Sequence, residues 1–559
     1  MQSVKVGCFA SAVSRALCCR DFIKVSACCR VHRSVSQKAA TPEETFIRVP
    51  RYMQRRVEHV KQTRGQTKIN TIKAGKLLIQ SKNSDLNQSA GYTLGKFEPL
   101  TLCSKGWKHN KSFGDHFTIN NIKTVAPFVA ENQNEDVQQK APVTFNNLRI
   151  CKVLVEGLDR INITHPTTVQ LQTIPKVMKG HNVLCAAETG SGKTLSYLLP
   201  IVQRLQVESE VDSESARGIG AVVLVPSREL SEQVAAVSRK LCAPLGLTTS
   251  IVGGGRGVGH IKSIFKRNPP DILVATPGAL IKALRRRCVD FSELSFFVVD
   301  EADTMFDPSF SDMLENILLS ANIARDPKET QGPGHKAQLL VVGATFPGGV
   351  GEVLSKVTDL GSMVVIKSKM LHFLMPHVKQ TFMKVKGTDK ILELHQALKM
   401  LQQKEGGGGA ALVFCNKSAT VNWLGYSLEE MGMPHARLQG EMPAALRAGI
   451  FRTFQKAGQT DVLICTDIAS RGLDTSRVRL VVNYDAPESH TDYIHRAGRV
   501  GRAGGREDGE VLTFVTHPWD VELVQKIEIA ARRRTSLPGM QSDIREPKPK
   551  PKGEADVEE

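Results

Sequence analysis

The stretch AETGSGKT, residues 187–194, decides the fold of this 559-residue chain. It follows the apolar run NVLCAA and precedes LSYLLPIVQRL, a plausible helix. A strand, a glycine-rich turn and a helix start form a phosphate cradle, because backbone N–H groups and the helix dipole face the anion. Lys193 would reach the β- and γ-phosphates of a nucleotide, and the Thr194 hydroxyl would ligate Mg²⁺. Ala187 stands where the generic pattern has glycine, and taken alone the motif also fits a glycine loop without a ligand.

Short apolar runs alternate with amphipathic segments on both sides of a hinge-like region near residues 365–385. The runs are AVVLVP (221–226), DILVATP (271–277), FFVVDEAD (296–303), QLLVVGAT (338–345), ALVFCNK (411–417), DVLICTD (461–467) and RLVVNYD (479–485). Strands that are apolar on both faces and separated by helices predict a parallel sheet covered on both sides. The sequence therefore predicts an α/β fold with two tandem parallel-sheet domains.

Two further segments carry charged groups suited to phosphate chemistry. The apolar run 296–299 delivers Asp300 and Glu301, one carboxylate to hold Mg²⁺ and one to act on the attacking water. The alternative is a stray acidic turn. The segment YIHRAGRVGR (493–502) holds arginines spaced so that at least two would share one helical face and stabilise a γ-phosphoryl group. The alternative there is a basic helix that binds phosphates nonspecifically.

The net charge of +18 is concentrated near the N-terminus, since residues 1–140 hold 23 Lys/Arg and 10 Asp/Glu, a balance of +13. Such asymmetry favours a polyanion-binding arm, a targeting segment or both, with a plain solvated surface as the alternative. Residues 1–40 contain seven Lys/Arg and one acid, which is typical of a mitochondrial transit peptide; a disordered tail is the alternative. Residues 41–140 form a basic, largely irregular extension, and a charged tail over 531–559 is expected to be disordered.

Cysteine usage argues against a secreted protein with a disulfide framework, and hydropathy disfavours an integral membrane protein. Cys185, Cys415 and Cys465 lie in apolar runs that predict buried strands, and no disulfide framework is visible, which favours a reducing compartment. No run reaches the roughly 18 apolar residues of a membrane-spanning helix, so membrane insertion is not expected.

The ordered motifs resemble those of the DEAD-box RNA helicases. The matching segments run from Phe145 to about residue 515: NITHPTTVQ (162–170), AETGSGKT (187–194), PSREL (226–230), Gly253-Gly254, TPGA (276–279), DEAD (300–303), GAT (343–345), VFCNK (413–417), TDIASRGLD (466–474) and HRAGRVGR (495–502). The resemblance implies RecA-like domains over 141–372 (ATP-binding) and 380–530 (helicase C-terminal), and an RNA-dependent ATPase.

The resemblance also implies roles for individual residues. Lys193 and Glu301 would be catalytic, with Arg499 and Arg502 as arginine fingers and Asp300 with Thr194 on Mg²⁺. ATP would be held by Phe145, Gln170, Ala187, Glu188, Thr189, Gly190, Ser191, Gly192, Lys193, Thr194 and Asp474, with Gln170 reading adenine. The RNA backbone would be held by Arg228, Gly254, Thr276, Gly278, Arg447 and Thr466. Asp303, Thr345 and His495 would couple the two sites.

Three positions depart from the family pattern, namely Gly343 for serine, Ala279 for arginine and Ala444 for glutamine. They imply intact ATP binding with weakened or partner-dependent strand separation. The segments TVNWLGY and FVTHPWDVELVQKIE resemble a mitochondrial member of the family, which implies work on mitochondrial large-subunit rRNA with ribosome-assembly proteins in the matrix. The cluster Arg532–Arg534 leaves some nuclear residence open. An ATP-gated RNA clamp with little unwinding is the alternative function, and a DNA translocase is a third.

Overall fold

The computed structural model describes residues 76–95, 98–120, 143–211, 218–254, 258–265, 269–332, 334–346, 350–368, 371, 374, 378–403, 409–458, 460–467, 475–501 and 509–537. The predicted targeting segment (1–40), Asp474, Arg502 and most of the charged tail lie outside the described residues.

The described part of the extension contains three short strands. They are β1 (Leu77–Ser81), β2 (Gln88–Ser89) and β3 (His116–Ile119). Strand β1 pairs antiparallel with both β2 and β3. Trp107, in the loop between β2 and β3, and Phe117, in β3, are 1% and 0% exposed. Their ring centroids are 5.6 Å apart. These residues belong to the same apolar core as the second domain, which the polar sequence of the extension did not predict.

The first domain spans the described residues 143–367 and alternates strands with helices. Its elements are α1 (Lys152–Asp159), α2 (Thr168–Met178), β4 (Val183–Ala186), α3 (Lys193–Val211), β5 (Ala221–Leu224), α4 (Arg228–Cys242), β6 (Thr249–Val252), α5 (Val258–Phe265), β7 (Ile272–Ala275), α6 (Pro277–Arg285), β8 (Phe296–Val299), α7 (Ala302–Met305), α8 (Pro308–Leu319), β9 (Gln338–Gly343), α9 (Val350–Ser355) and β10 (Val364–Lys367).

The strands of the first domain form one parallel sheet in the order β10-β4-β9-β8-β5-β7-β6. The central strands are buried on both faces, and separate apolar clusters lie on the two sides of the sheet. This is the arrangement that continuous β-branched runs favour, because helices cover both faces of a parallel sheet.

The second domain repeats this plan over the described residues 378–537. Its elements are β11 (Lys379–Lys384), α10 (Lys390–Gln403), β12 (Ala410–Phe414), α11 (Ser418–Glu430), β13 (Ala436–Leu438), α12 (Ala444–Gln455), β14 (Val462–Cys465), β15 (Val478–Asn483), α13 (His490–Ala497), β16 (Glu510–Val515) and α14 (Pro518–Arg533).

The N-terminal strands belong to the sheet of this second domain. Its order is β13-β14-β12-β15-β16-β11-β3-β1-β2, and β3 pairs antiparallel with β11, Phe382 lying opposite Phe117. The two rings stack with centroids 5.0 Å apart. The added strands cover what would otherwise be an exposed sheet edge.

The last helix, α14, continues to Arg533, past the predicted domain boundary at residue 530. Arg532 is 6% exposed, and its Nε donates to Glu528 Oε1 at 2.9 Å. Glu528 also accepts from Ser104 Oγ at 2.6 Å and from the Cys103 N–H at 2.8 Å. Arg532 therefore joins the extension to α14 and is not available as part of an exposed basic cluster.

The prediction of buried cysteines is confirmed, since Cys185, Cys415 and Cys465 are all 0% exposed. Within the part of the chain that the structure describes, none of the helices combines the length and apolar character that a membrane crossing requires.

Candidate active site

The phosphate loop joins β4 to α3, as its sequence predicts. Lys193 opens α3, and its Nζ donates to Ala187 O at 2.7 Å and to Glu188 O at 3.1 Å, so the ammonium group lies inside the loop. Gly190 and Gly192 have φ of 82° and 83°, a region that side chains rarely adopt. The loop therefore has the curved, N–H-lined shape that an anion requires.

Gln170 contacts this loop directly. Its Nε2 donates to Gly192 O at 3.1 Å, and its Oε1 accepts from the Thr167 N–H at 2.9 Å as part of a helix cap. A Cβ added at Gly192 would lie 2.4 Å from Gln170 Nε2, so the loop and the amide are in close contact. Phe145 is 1% exposed within the core of the first domain, so its ring offers no open face to a base in this conformation.

Asp300 follows β8 and is held by two hydrogen bonds. Its Oδ2 accepts from the Tyr197 hydroxyl at 2.8 Å, and its Oδ1 accepts from the Glu301 N–H at 2.8 Å. Burial, with the nearby Glu301 charge, raises the pKa of Asp300 to about 6. Burial also raises the pKa of Tyr197, which the charge of Asp300 raises further. The phenol is therefore a donor to the carboxylate.

Glu301 has a strained backbone and an unsatisfied oxygen. Its φ of 50° is left-handed, which is rare for a side-chain-bearing residue and clusters at functional sites. The side chain is buried, and its Oε2 has no hydrogen-bond partner among the described residues. A cation or a water would satisfy this oxygen.

These groups fit a magnesium ion chemically. Mg²⁺ takes oxygen ligands, usually one or two carboxylates together with substrate phosphates and water. Asp300 supplies the carboxylate, the orphaned oxygen of Glu301 lies beside it in sequence, and the Thr194 hydroxyl is linked to Asp300 through Tyr197.

Contacts between the two domains converge on this site. His495 Nε2 of α13 lies 2.7 Å from Asp303 Oδ2, and both side chains are buried. Thr189 Oγ1 of the phosphate loop donates to Gly498 O at 3.4 Å. A Cβ at Gly498 would lie 1.9 Å from Thr189 Oγ1, so only glycine permits this approach. The second domain therefore closes directly over the phosphate loop.

Arg496 and Arg499 do not share a helical face, contrary to one arrangement that the spacing allowed, and Arg502 lies outside the described residues. Helix α13 ends at Ala497 with Gly498 as its cap, so Arg499 lies beyond it. Arg496 is used inside the second domain, donating to Asp467 through Nε and Nη2, both at 2.7 Å. Arg499 directly follows Gly498, the residue that contacts Thr189. It is 1% exposed, and its Nε donates to His495 O at 3.2 Å.

The predicted RNA residues of the first domain lie together at one side of its sheet. Arg228, Thr276 and Gly254 follow β5, β7 and β6, three adjacent strands, whereas the phosphate loop and Asp300 follow β4 and β8. Arg228 Nη1 donates to Gly254 O at 3.4 Å. Gly278 is exposed in the first turn of α6. Strand order thus separates the predicted RNA residues from the predicted nucleotide residues of this domain.

Arg447 of the second domain lies close to the predicted RNA residues of the first domain. Its Nε lies 3.0 Å from Glu229 Oε1, next to Arg228. Arg447 lies on α12, which follows β13, and Thr466 follows the neighbouring parallel strand β14. Both residues therefore come after strands that end at the same edge of the second sheet. Thr345, the remaining predicted coupling residue, is 8% exposed just after β9.

Sequence reasoning missed Tyr197, Glu229 and Gly498. Tyr197 lies one helical turn after Lys193, a spacing that places it over the loop. Nothing in the sequence signals that Glu229 faces Arg447, because that ion pair joins separate domains.

Comparison with known proteins agrees with this geometry. Residues 167–353 match the DEAD/DEAH box helicase family model, and residues 389–504 match the helicase conserved C-terminal domain. The chain is 49% identical to the mouse protein "Probable ATP-dependent RNA helicase DDX28" over 90% of this chain and 93% of that protein. Identity to the human protein of the same description is 48%, over 91% and 94%.

Solved structures share the fold. Mss116p bound to ssRNA and AMP-PNP aligns with 71% of this chain and 79% of its own, at a TM-score of 0.60 and 24% identity. S. cerevisiae Dbp5 bound to RNA and ADP BeF3 aligns with 70% and 93%, at a TM-score of 0.57 and 23% identity. The predicted pair of RecA-like domains is confirmed.

Proposed function

The chain belongs to the DEAD-box ATP-dependent RNA helicases, and on that premise we propose that it remodels RNA or RNA–protein complexes during assembly of the mitochondrial large ribosomal subunit. The observation that carries the mechanism is the interdomain contact of Thr189 with Gly498. It joins the phosphate loop to the segment that bears Arg499, so that nucleotide binding and domain closure depend on each other.

Within the closed site, each group has one task. Lys193 and the loop N–H groups bind the phosphates of ATP, and Glu301 orients or deprotonates the attacking water through its free oxygen. Arg499, with Arg502 from the following segment, stabilises the charge that develops on the γ-phosphoryl oxygens. Asp474 would bind on the ribose and γ-phosphate side of the nucleotide, and Gln170 reports nucleotide binding to the loop through its bond to Gly192 O.

Magnesium would be held by Asp300 and Thr194, and when bound it neutralises charge on the phosphate oxygens. Tyr197 orients Asp300 for this task, since its hydroxyl donates to the carboxylate at 2.8 Å. Both groups are buried, which excludes bulk water from them.

RNA binding follows from the same closure. Arg228, Gly254 and Thr276 on one domain and Arg447 and Thr466 on the other form a continuous side only when the domains meet. Residues of these types bind phosphates and 2′-hydroxyls, so recognition is largely independent of sequence. His495 and Asp303 link this side to the nucleotide.

The ribosomal role rests on two supports. The likeness to the DDX28 proteins covers nearly the whole chain. The acid-poor, arginine- and serine-rich residues 1–40 support import into the mitochondrial matrix. Fusing residues 1–40 to a fluorescent protein tests import: a fusion that stays in the cytosol contradicts the matrix assignment.

The Glu301→Gln substitution tests the reaction. It keeps the side-chain volume and removes the carboxylate, so we expect ATP turnover to stop while RNA stays bound in the closed state. Exposed Glu293, changed to Gln, is the matched control and leaves turnover unchanged. Crosslinking the trapped protein to RNA in cells should recover mitochondrial large-subunit rRNA; recovery of unrelated RNA contradicts the ribosomal role.

An RNA clamp with little unwinding is the second candidate, favoured by Gly343. This residue lacks the serine hydroxyl of the family pattern, and a Cβ there would lie 3.2 Å from Ala302 Cβ and 3.1 Å from Thr345 O. The DEAD segment is thus packed against the glycine itself. If cells that carry only Glu301→Gln assemble mitochondrial ribosomes normally, hydrolysis is dispensable and the clamp function replaces the helicase function.

A further inference from the structure

An exposed aromatic pair lies at the carboxyl edge of the second sheet, three strands from β14 and Thr466. Trp519, near the start of α14, is 68% exposed, and its ring stacks on His517 with centroids 4.4 Å apart and an interplanar angle of 14°. A large aromatic ring left this open on a folded domain is unusual, because burial of a tryptophan is strongly favourable. Two parallel rings form a flat platform, which suits a nucleic-acid base.

Lysines surround this platform. Lys108 of the N-terminal extension pairs with Glu522 at 2.9 Å, one helical turn beyond Trp519. Lys105 and Lys526 are both exposed. Their neighbours in the chain are in contact, because Gln525 Nε2 donates to Ser104 O at 3.3 Å. The extension therefore packs along α14, and Lys108 reaches Glu522, which lies one helical turn from Trp519.

The same surface continues onto the end of β11. Lys384 Nζ donates to Thr516 O at 2.8 Å and lies 5.5 Å from the Phe113 ring, while exposed Lys386 lies 5.7 Å from that ring. These contacts join the ends of β11 and β16 to the loop that carries exposed Lys111.

The acidic groups beside these lysines are engaged in hydrogen bonds or ion pairs. Asp520, next to Trp519, accepts from the Thr516 and His517 N–H groups. Glu522 faces Lys108, and the flanking Lys108 and Lys526 lower its pKa. Asp115 pairs with Lys82 at 3.2 Å. We define the lysine–tryptophan surface as the exposed residues Lys105, Lys108, Lys111, Lys386, Trp519 and Lys526.

Strand order fixes the position of this surface relative to Thr466. Strands β14, β12, β15, β16 and β11 run parallel to one another, so Thr466, His517 and Lys386 all follow strands at the same edge of the sheet. Three strand intervals separate β14 from β16, and at about 4.8 Å each the separation is roughly 14 Å.

We propose that the lysine–tryptophan surface is a second RNA-binding site, which stacks a base on Trp519 and binds phosphates of a single strand that extends beyond the segment gripped by the two domains. The proposal rests on the RNA binding in the proposed function. Separated cations with an open aromatic platform are the pattern by which proteins hold single strands without sequence preference.

The stacking role is tested by measuring the affinity of the full-length protein for two poly(U) strands. The short strand is just long enough for the closed core. The long strand has about six more nucleotides, which at about 3.4 Å per stacked nucleotide is enough to cross the separation given above. With a non-hydrolysable ATP analogue present, Trp519→Ala should weaken binding of the long strand about 5- to 150-fold, the range measured for loss of one stacked base. Binding of the short strand should not change. Trp423, 52% exposed on α11, supplies the control variant Trp423→Ala.

The phosphate role is tested by salt dependence. Each phosphate contact contributes about 0.7 to the slope of log affinity against log salt for a single strand. Lys105→Ala/Lys111→Ala should therefore reduce the slope for the long strand by about 1.4. The control Lys328→Ala/Lys399→Ala removes two exposed lysines elsewhere and should leave it unchanged.

The outcomes separate the two proposals. If wild-type protein binds the short strand no better with the analogue than without it, the core function fails, whatever the variants do. If the core binds normally and Trp519→Ala matches wild type on the long strand, the second site is refuted. Equal losses on both strands also refute it, because the defect then lies in the core. Normal RNA binding combined with loss of a protein crosslink at Trp519 assigns the surface to a protein partner instead.

Discussion

Gly498→Ala provides a direct test of the closed arrangement. The new Cβ would lie 1.9 Å from Thr189 Oγ1, a contact that cannot exist. The φ of Gly498 is −66°, which alanine adopts readily, so the substitution acts through this contact and not through backbone strain. Overpacking costs about 1–3 kcal/mol, and the contact with Thr189 exists only when the two domains meet, whereas the wider 3.0 Å contact of the new Cβ with Ile494 O lies within the second domain. The closed state should therefore become about 5- to 150-fold less populated.

Fluorescence anisotropy with a labelled RNA strand measures this loss. Affinity in the presence of a non-hydrolysable ATP analogue should fall by the factor above, whereas affinity without nucleotide should stay as in wild type. Adding Thr189→Ala removes the clashing hydroxyl and should restore part of the affinity. Gly157→Ala, where a Cβ meets open space, is the control. Analogue-dependent binding as tight as wild type in Gly498→Ala would falsify the contact between Thr189 and Gly498.

Four further substitutions test the supporting structure. Because burial raises the pKa of Asp300 to about 6, its ionised form destabilises the metal-free fold increasingly as the pH rises from about 4 to 6. Asp300→Asn should raise the free energy of unfolding by about 3 kcal/mol at pH 7 and by much less near pH 4, as chemical denaturation at the two pH values would show. Tyr197→Phe removes the hydroxyl that donates to Asp300, a hydrogen bond that contributes about 1.5–3 kcal/mol. The variant should need a higher Mg²⁺ concentration for half-maximal ATP turnover. An unchanged Mg²⁺ requirement contradicts the orienting role of Tyr197. Glu528→Ala leaves buried Arg532 without its carboxylate, which should lower the free energy of unfolding by about 3–5 kcal/mol. The segment 76–120 should then become sensitive to limited proteolysis, whereas the control Glu522→Ala should leave it resistant. Gly343→Ser should lower the melting temperature as much as Gly343→Ala does, because the added Cβ contacts Ala302 at 3.2 Å; a stable variant with faster strand displacement would show that the missing hydroxyl limits unwinding.

Local sequence predicted the nucleotide side well because its elements are contiguous. The loop 187–194 needs one strand, one turn and one helix, all present within a few residues, and Lys193 lies inside the loop as expected. Continuous β-branched runs likewise predicted parallel, doubly covered sheets, which the structure confirms in both domains.

Two local patterns were misleading. The arginine spacing in 493–502 allowed Arg496 and Arg499 to share a helical face, but the helix ends at Ala497 and Arg496 is used for Asp467. The extension was expected to be irregular because its sequence is polar, yet β3 finds its hydrogen-bond partners on β11. More than 260 residues of chain separate Phe117 from Phe382, so no local pattern reports that pairing.

The sequence by itself determined the reaction class, since phosphate binding and acid placement depend on neighbouring residues in one turn. It also determined the two-domain plan, because hydrophobic runs record burial on both faces of a sheet. Only the tertiary structure decided how closely the domains meet at Gly498, that Arg532 is buried with Glu528, and that Lys108 pairs with Glu522. Each of these depends on atoms brought together from distant parts of the chain, and their separation is set by packing, not by sequence spacing.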